Sequence, residues 1–247
     1  MADRDEILAF ASDLLDLDAY PDYGPMGLQV AGARDVRRLA CGVSSSLELF
    51  ERAAAADAKM LLVHHGLLWD RDPRVIDDAA RRRLKALFDA EITLAAYHLA
   101  LDAHAEVGNN ALLARELGID PAEPFAGIGF GGPLAEPASI GEFTIRVREK
   151  LGSEPVVFDY GPERIERAAV ITGGAARYLA EAAGAGYDLF LTGEPAEPSL
   201  HTARELGIHF VAAGHYATER IGIQALAKRL AEHFDLDWEF IDLPNPV

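Results

Sequence analysis

The segment Asp57-Ala-Lys-Met-Leu-Leu-Val-His64-His65-Gly66 carries the clearest signal of the fold. Its apolar run, residues 60–63, has the length and composition of a buried strand, and two adjacent histidines follow where that strand ends. Two further apolar runs end in the same manner, Leu94-Ala-Ala-Tyr-His98 and Val211-Ala-Ala-Gly-His215. Because ligands in α/β proteins bind beyond the carboxyl ends of strands, these imidazoles predict a functional site.

The surroundings of this stretch occur twice in the chain in approximate form. Residues 39–46 align with residues 167–174, and each is a short apolar strand that ends in small residues. Each is followed by a stretch with helical character, residues 47–56 in the first copy and 175–184 in the second. At identical spacing, His64-His65-Gly66 then aligns with Thr192-Gly193-Glu194. Further along, His98 and Asp102 align with His215 and Glu219.

Strands that alternate with helical stretches favour an α/β fold with largely parallel sheets. We therefore predict two similar α/β domains, related by duplication, with mixed sheets flanked by helices and a dinuclear metal site between them. The boundary is placed in residues 121–141, a linker rich in Gly and Pro. This gives a first domain of residues 1–125 and a second of residues 126–247.

Three local patterns complete the secondary-structure prediction. Phe143-Thr-Ile-Arg-Val-Arg148 alternates apolar and polar residues and predicts a strand, with a second strand at Val156-Val-Phe158. Arg81-Arg-Arg-Leu-Lys-Ala-Leu-Phe88 predicts a helix whose basic face is solvated. Thr172-Gly-Gly-Ala-Ala176 fits either a tight strand–helix turn or a set of backbone N–H groups that binds an anion.

Composition excludes several classes of function. The formal net charge of −17 argues against binding to nucleic acid or to an anionic membrane. No apolar run approaches the roughly 18 residues that a membrane span needs, and no signal peptide is visible at the N-terminus. Cys41 is the single cysteine, which excludes an internal disulfide. We expect a cytoplasmic protein that acts on a small molecule.

The spacing of the histidines and carboxylates indicates metal binding. His98 and Asp102 are four residues apart, as are His215 and Glu219, a spacing that places both groups on one face of a helical turn. His64 and His65 would point in opposite directions on a strand, so both reach one site only where Gly66 lets the chain leave the sheet. For Glu219 an alternative is a first-turn carboxylate in a helix that Thr218 caps.

The donor types indicate which metal. Imidazole and carboxylate without thiolate suit Zn²⁺, Mn²⁺ or Fe²⁺. The candidate metal ligands are His64, His65, Asp102, His215 and Glu219. Five ligands exceed what one tetrahedral zinc requires, so we predict two divalent metal ions about 3.5–4 Å apart that activate a water for hydrolysis. Glu219 is the candidate for the carboxylate shared by both ions.

Four further residues are candidates for proton transfer or substrate contact. His98, His104 and Glu194 are the candidate catalytic acids or bases. His104, two residues beyond Asp102, is equally consistent with an ordinary loop histidine. Glu194 and His201 follow the second copy's counterpart of the His-His loop.

Several motifs taken together resemble one known family. They are Met26-Gly-Leu-Gln-Val30, Val63-His-His-Gly-Leu-Leu-Trp69, Ala96-Tyr-His-Leu-Ala-Leu-Asp-Ala-His104, Gly108-Asn-Asn110, Leu191-Thr-Gly-Glu194 and Ala213-Gly-His-Tyr-Ala-Thr-Glu-Arg-Ile-Gly222. Almost end to end, the chain resembles the GTP cyclohydrolase 1 type 2 family, also called the Nif-three-like family of dinuclear-metal proteins. Met26 departs from the pattern, since the family usually has Asn before Gly-Leu-Gln.

The resemblance carries its own expectations. It implies metal ligation by the five candidate ligands, with Glu219 shared between the ions and His98 lining the site. It also implies a toroidal homohexamer with its sites facing an interior cavity. The implied reaction is water attack on the imidazole ring of GTP with release of formate.

Two other functions fit the same residues. One is a metal-dependent phosphoesterase or amidohydrolase acting on another small molecule, and the other is a non-catalytic metal-binding scaffold. The chain has no Gly-x-x-x-x-Gly-Lys-Ser/Thr loop and no clear clamp for a triphosphate. A catalytic site needs an acid or base close to the metal, whereas a scaffold does not.

Overall fold

The computed structural model describes residues 1–247, which divide into two units. Unit 1 comprises residues 1–101 and 223–243, and unit 2 comprises residues 102–222 and 244–247. These limits differ from the predicted division at residues 125 and 126. The C-terminal part of the chain accounts for one difference, because residues 237–240 form a strand that pairs with the first sheet.

The elements up to residue 103 begin with a short strand and a long helix. In chain order they are β1 (Ala2–Asp3), α1 (Arg4–Leu15), β2 (Gly27–Val30), β3 (Asp35–Val36), β4 (Arg38–Ser44), α2 (Leu47–Ala55), β5 (Met60–His65), α3 (Asp78–Asp89), β6 (Thr93–Ala96) and α4 (Leu99–Ala103). The remaining elements are α5 (Asn109–Glu116), β7 (Glu123–Phe125), β8 (Gly129–Ala138), α6 (Ile140–Leu151), β9 (Val156–Phe158), β10 (Ile165–Val170), α7 (Leu179–Gly184), β11 (Leu189–Thr192), α8 (Ser199–Leu206), β12 (His209–Ala212), α9 (His215–Phe234) and β13 (Asp237–Phe240).

Unit 1 is built on a five-stranded sheet in the order β13-β4-β5-β6-β2. Four strands are parallel, and β2 pairs antiparallel with β6 at one edge. Residues 60–64 of β5 are all buried, because a central parallel strand is covered on both faces. Leu61 and Val63 pack in one cluster with Leu49 and Phe50 of α2 and Leu87 of α3. The strand thus delivers His64 and His65 from a rigid core.

Unit 2 is built on a six-stranded sheet in the order β7-β8-β10-β11-β12-β9. The three central strands β10, β11 and β12 are parallel, whereas β8 and β9 pair antiparallel with them. Leu189, Leu191 and Val211 of the parallel strands pack in one cluster with Phe143 and Val147 of α6. The structure therefore confirms two α/β units with mixed sheets flanked by helices.

The predicted strand at residues 143–148 is wrong, because these residues belong to α6. Ser139 caps the helix by accepting from the backbone N–H of Glu142, whose side chain accepts in turn from the Ser139 N–H. Phe143, Val147 and Leu151 are buried at a spacing of one helical turn. The apolar–polar alternation in residues 143–148 is too short to distinguish a strand from a helix with buried residues every four positions. The capping box at Ser139 and Glu142 stabilises the helix.

The predicted linker at residues 121–141 is also wrong, since it contains β7 and β8. Its glycines serve packing within the sheet. A Cβ on Gly131 would lie 2.4 Å from the Tyr187 hydroxyl, and one on Gly129 would lie 2.5 Å from the Ile171 side chain. Glycine composition alone did not distinguish a linker from a strand that bulky neighbours approach closely.

Membrane-spanning character is absent from the helices. None of them combines the length and the apolar composition that crossing a bilayer requires.

Candidate metal centre

Three imidazoles converge at the carboxyl ends of the strands in unit 1. His64 and His65 are the last two residues of β5, and His98 follows β6 by two residues. Ring nitrogens from the three histidines lie within 4.8 Å of one another. The ring centroids of His64 and His65 are 4.7 Å apart, and those of His64 and His98 are 5.1 Å apart. Nitrogen donors at this spacing could hold a metal ion.

The orientation of these rings is set by partners at Nδ1. His64 Nδ1 lies 2.9 Å from the Tyr97 carbonyl oxygen, and His98 Nδ1 lies 2.8 Å from Asp22 Oδ1. Both partners accept, so both Nδ1 atoms carry the hydrogen and the neutral ring keeps its lone pair on Nε2. His65 Nδ1 lies 2.9 Å from the Ser44 hydroxyl. A histidine held in this way at one nitrogen is typical of a metal ligand that uses the other.

Asp22 is a residue that the sequence did not reveal. Its carboxylate accepts from His98 and from the backbone N–H of Leu99, and its side chain is only 2% exposed. Burial raises the pKa of this carboxyl, but the hydrogen bond and charge of His98 outweigh it, so that the pKa lies below its usual range. Asp22 precedes His98 by 76 residues, and no periodicity or motif links the two positions.

Asp102 is a buried carboxylate in unit 2, 5% exposed. Its Oδ1 accepts from the Asn109 amide at 2.8 Å and lies 3.3 Å from the Thr172 hydroxyl. The other end of the Asn109 amide accepts from the backbone N–H of Gly222 at 2.7 Å. A buried carboxylate is stable only with such partners. Gly108-Asn-Asn110 was part of the family resemblance, and these contacts supply its physical role.

His215 and Glu219 lie on the first turn of α9, with His215 Nε2 3.0 Å from Glu219 Oε2. Glu219 is 3% exposed, and His215 Nδ1 is hydrogen-bonded to Glu194 Oε1. Burial lowers the pKa of His215, but the hydrogen bonds with Glu219 and Glu194 and the charges of these carboxylates outweigh burial. The resulting pKa is raised from its usual value to about 9. The metal-free chain therefore favours the imidazolium form at neutral pH.

The turn after β10 approaches Glu219 so closely that only glycine fits. A Cβ on Gly173 would lie 2.1 Å from Glu219 Oε1, and its φ of +66° is in the left-handed region. The Gly173 N–H donates to the Thr218 hydroxyl at 3.2 Å. Of the two readings of residues 172–176, the tight strand–helix turn accounts for these contacts.

The predicted helix cap at Thr218 is wrong. Helix α9 begins at His215, three residues earlier, and the Thr218 hydroxyl donates to the His215 carbonyl from inside the first turn. Because Glu219 interacts directly with His215, its position is not explained by a cap alone.

The remaining candidates occupy different environments. His104 follows α4, and its Nδ1 accepts from the backbone N–H groups of Glu106 and Val107, each at 3.1 Å. Glu194 contacts the imidazole of His215. His201 is exposed on α8, and no contact of its side chain indicates a role. The catalytic roles of His98, His104 and Glu194 stay predictions.

The donor set fits a divalent metal. Imidazole nitrogens and buried carboxylate oxygens, each held by further hydrogen bonds, are the ligands that Zn²⁺, Mn²⁺ and Fe²⁺ accept in proteins. Each of the two α/β units carries side chains beyond its parallel strands that could bind a metal ion.

Comparison with known proteins identifies the family. The sequence model of the family described as Duf34/NIF3 (NGG1p interacting factor 3) matches residues 2–246, and the chain belongs to that family. A relative from Pseudomonas aeruginosa, named GTP cyclohydrolase 1 type 2 homolog, is 47% identical over 96% of each chain. A relative of the same name from Escherichia coli is 43% identical over 98% of each chain.

Solved structures agree with the fold. A structure titled protein ybgI, of unknown function, has a TM-score of 0.97 at 42% identity, covering 99% of this chain and 100% of that one. The structure of TTHA1606 from Thermus thermophilus has a TM-score of 0.93 at 36% identity, with coverage of 99% and 100%.

Proposed function

We propose that this protein is a metal-dependent hydrolase whose centre holds two divalent ions. The residues that would hold these ions are His64, His65, Asp102, His215 and Glu219, and Glu219 is the carboxylate that would serve both. The reaction that fits the names of its relatives is water attack on the imidazole ring of GTP with release of formate. Zinc, manganese and iron are the metals that suit this donor set.

One observation carries the proposal. His64, His98 and His215 each hold an oxygen acceptor at Nδ1, contributed by a carbonyl in the first case and by carboxylates in the other two. This arrangement fixes the tautomer and the ring orientation and raises the basicity of Nε2. This arrangement is expected of metal ligands such as the proposed His64 and His215. His98 shares it without being one of the proposed ligands.

Bound divalent ions would supply a Lewis acid and lower the pKa of an attacking water. The chain's own residues do the rest. Asp22 keeps the hydrogen of His98 on Nδ1, so Nε2 is the atom at which His98 takes up a proton from the water or passes it to the leaving group. Glu194 acts through His215, whose ring it orients. His104 is a weaker candidate, because its Nδ1 already accepts from two backbone N–H groups.

The test is turnover by metal-loaded protein on GTP and on a panel of phosphoesters, with formate and phosphate both followed. Formate release that is lost in His65→Ala but retained in His233→Ala supports the cyclohydrolase reaction. His233 is the matched control because it is exposed near the end of α9 and stacks on Phe10. Phosphate release alone would replace the cyclohydrolase assignment with a phosphoesterase, and silence on every substrate with metal bound would favour the scaffold.

Assembly and location belong to the same proposal. We expect a homohexamer that works in the cytoplasm. Sedimentation of the metal-loaded protein tests the assembly, and a monomer at micromolar concentration would contradict it.

A further inference from the structure

Unit 1 contains a cavity of about 550 Å³ beside the end of β5. Its walls come from the turn after β4, from the segment that connects β5 to α3, and from the first turns of α3. Ser44 and His65, whose side chains are hydrogen-bonded to each other, form part of this lining. A ligand in the cavity would therefore contact a residue that the proposed function makes a metal ligand.

Two unpaired arginines line this cavity, Arg74 in the connecting segment and Arg83 on α3. Neither has an ion-pair partner or a side-chain hydrogen bond in the structure. Two aspartates share the lining, but each is engaged by the backbone: Asp72 accepts from the Trp69 N–H and Asp77 from the Ala80 N–H. The arginines are thus the cationic side chains of the lining that remain available to a ligand.

The charge of the surrounding segment stands out against the rest of the chain. Residues 71–85 contain six arginine or lysine residues and three aspartates, in a chain with a net charge of −17. The sequence suggested a solvated basic face for residues 81–88, and Arg81 and Arg82 are indeed exposed. Arg83 differs, because it is half-buried and lies at the cavity.

The lining also offers apolar surface. Trp69 is held in place by its indole N–H, which donates to the Gly66 carbonyl at 3.1 Å. Val75 and Ile76 are 71% and 69% exposed, although both are large apolar side chains. A ligand with an apolar or aromatic part would remove this surface from water.

We propose that this cavity is the substrate-binding subsite for a phosphorylated small molecule, with Arg83 and Arg74 as the side chains that bind its phosphate groups. This inference rests on the proposed function, since the reacting end of the substrate would lie toward His65. Arginine suits this task because its planar guanidinium donates two parallel hydrogen bonds to phosphate oxygens. Trp69, Val75 and Ile76 would contact the less polar part of the same molecule.

The experiment measures binding by calorimetry on the full-length, metal-loaded protein, with GTP, guanosine and inorganic tripolyphosphate as probes. Arg83→Gln is expected to weaken binding of GTP and tripolyphosphate by about tenfold or more, because a charge-assisted phosphate contact is lost. Its effect on guanosine should stay within about twofold, because guanosine carries no phosphate. Arg82→Gln, one residue away on the same helix and exposed, is the matched control and should match the unsubstituted protein.

Metal content is measured in each variant, so that loss of metal is not mistaken for loss of the arginine. Equal weakening in Arg82→Gln and Arg83→Gln would overturn the subsite, as would unchanged binding in the double variant Arg74→Gln/Arg83→Gln. Failure of the unsubstituted protein to bind any of the three probes would overturn it too.

Turnover separates this inference from the proposed function. Binding that depends on Arg83, in a protein that releases neither formate nor phosphate, would keep the subsite and reject the hydrolase. Turnover of GTP with an unchanged KM in Arg83→Gln would keep the hydrolase and reject the subsite.

Discussion

The two units place different chemistry at the ends of similar strands. Ala40 pairs with Leu61 in unit 1, and Ala168 pairs with Leu189 in unit 2, which are the equivalent positions of the internal alignment. At the ends of β5 in unit 1 and β11 in unit 2, however, His65 corresponds to Gly193. A Cβ on Gly193 would lie 2.7 Å from the His215 Cα and 2.8 Å from the Gly173 carbonyl oxygen. The second unit has no room for a histidine there.

The next strands, β6 in unit 1 and β12 in unit 2, diverge further. Val63 pairs with Ala96 in unit 1, and Leu191 pairs with Val211 in unit 2. By this register Ala213 takes the place of His98, and His215 lies two residues further along. The predicted alignment of His98 with His215 is therefore shifted by two residues in the structure. His215 thereby begins a 20-residue helix, whereas His98 precedes a helix of five residues.

This comparison shows how similar strands can present two kinds of donor group, imidazoles and carboxylates. The strand ends of unit 1 bear imidazoles, which are neutral donors when they bind metal. Those of unit 2 bear the carboxylate of Glu219 and the imidazole of His215, whose pKa is raised by the neighbouring carboxylates of Glu219 and Glu194. The carboxylates would neutralise the charge of the ions, and the imidazoles would fix their positions. Four substitutions test whether the two units contribute in these different ways.

The largest effect is expected for Glu219→Gln. Loss of the carboxylate that we propose both ions share should abolish turnover, because an amide oxygen carries no charge to hold two cations together. Metal content by mass spectrometry and the rate of product release are the measurements. Glu232→Gln, exposed on the same helix, is the control. Full turnover in Glu219→Gln would show that the ions are not bridged by this residue.

The second-largest effect is expected for Glu194→Gln, which removes the negative charge of the carboxylate that is hydrogen-bonded to His215 Nδ1. Metal affinity should fall by about 10–100-fold, the usual result of losing a group that orients a ligand. Competition with a chelator measures it, and Glu197→Gln is an exposed control nearby. Unchanged affinity would mean that His215 needs no carboxylate to orient it.

Gly193→Ala tests why the repeat is imperfect. The added methyl group meets backbone atoms, so we expect a loss of about 1–3 kcal/mol in the free energy of unfolding. Gly141→Ala is the matched control, since nothing lies within 4 Å of its Cβ on α6. There we expect a change of no more than about 0.5 kcal/mol, because the residue is exposed in the first turn of the helix. Urea unfolding measures both, and equal stability in the two variants would contradict the crowding at Gly193.

The smallest effect is expected for Asp22→Asn in unit 1. An amide has one acceptor oxygen for the two donors that the carboxylate serves, His98 and the Leu99 N–H, so the free energy of unfolding should fall by about 1 kcal/mol. Asp18→Asn, exposed in the same segment, should be neutral. If Asp22→Asn were as stable as Asp18→Asn, the carboxylate would contribute nothing to holding His98.

Much of this molecule was predictable because its signals are local. The apolar runs before His64, His98 and His215 predicted strands, and all three are buried. The i, i+4 spacing of His215 and Glu219 predicted a shared helix face, which the 3.0 Å contact confirms. The errors at residues 121–141 and 143–148 arose where short patterns fitted two structures, and a capping box or a bulky neighbour decided between them.

The class of fold and the chemical character of the candidate site were predictable from the sequence, because strand periodicity and the types of donor are properties of nearby residues. Which groups hold these donors was established by the tertiary structure. Asp22, Ser44 and Tyr97 reach their histidines over 76, 21 and 33 residues. It also decided that Arg83 faces a cavity while Arg82 faces water. Such contacts depend on how strands and helices pack, and packing brings together residues that no local pattern connects.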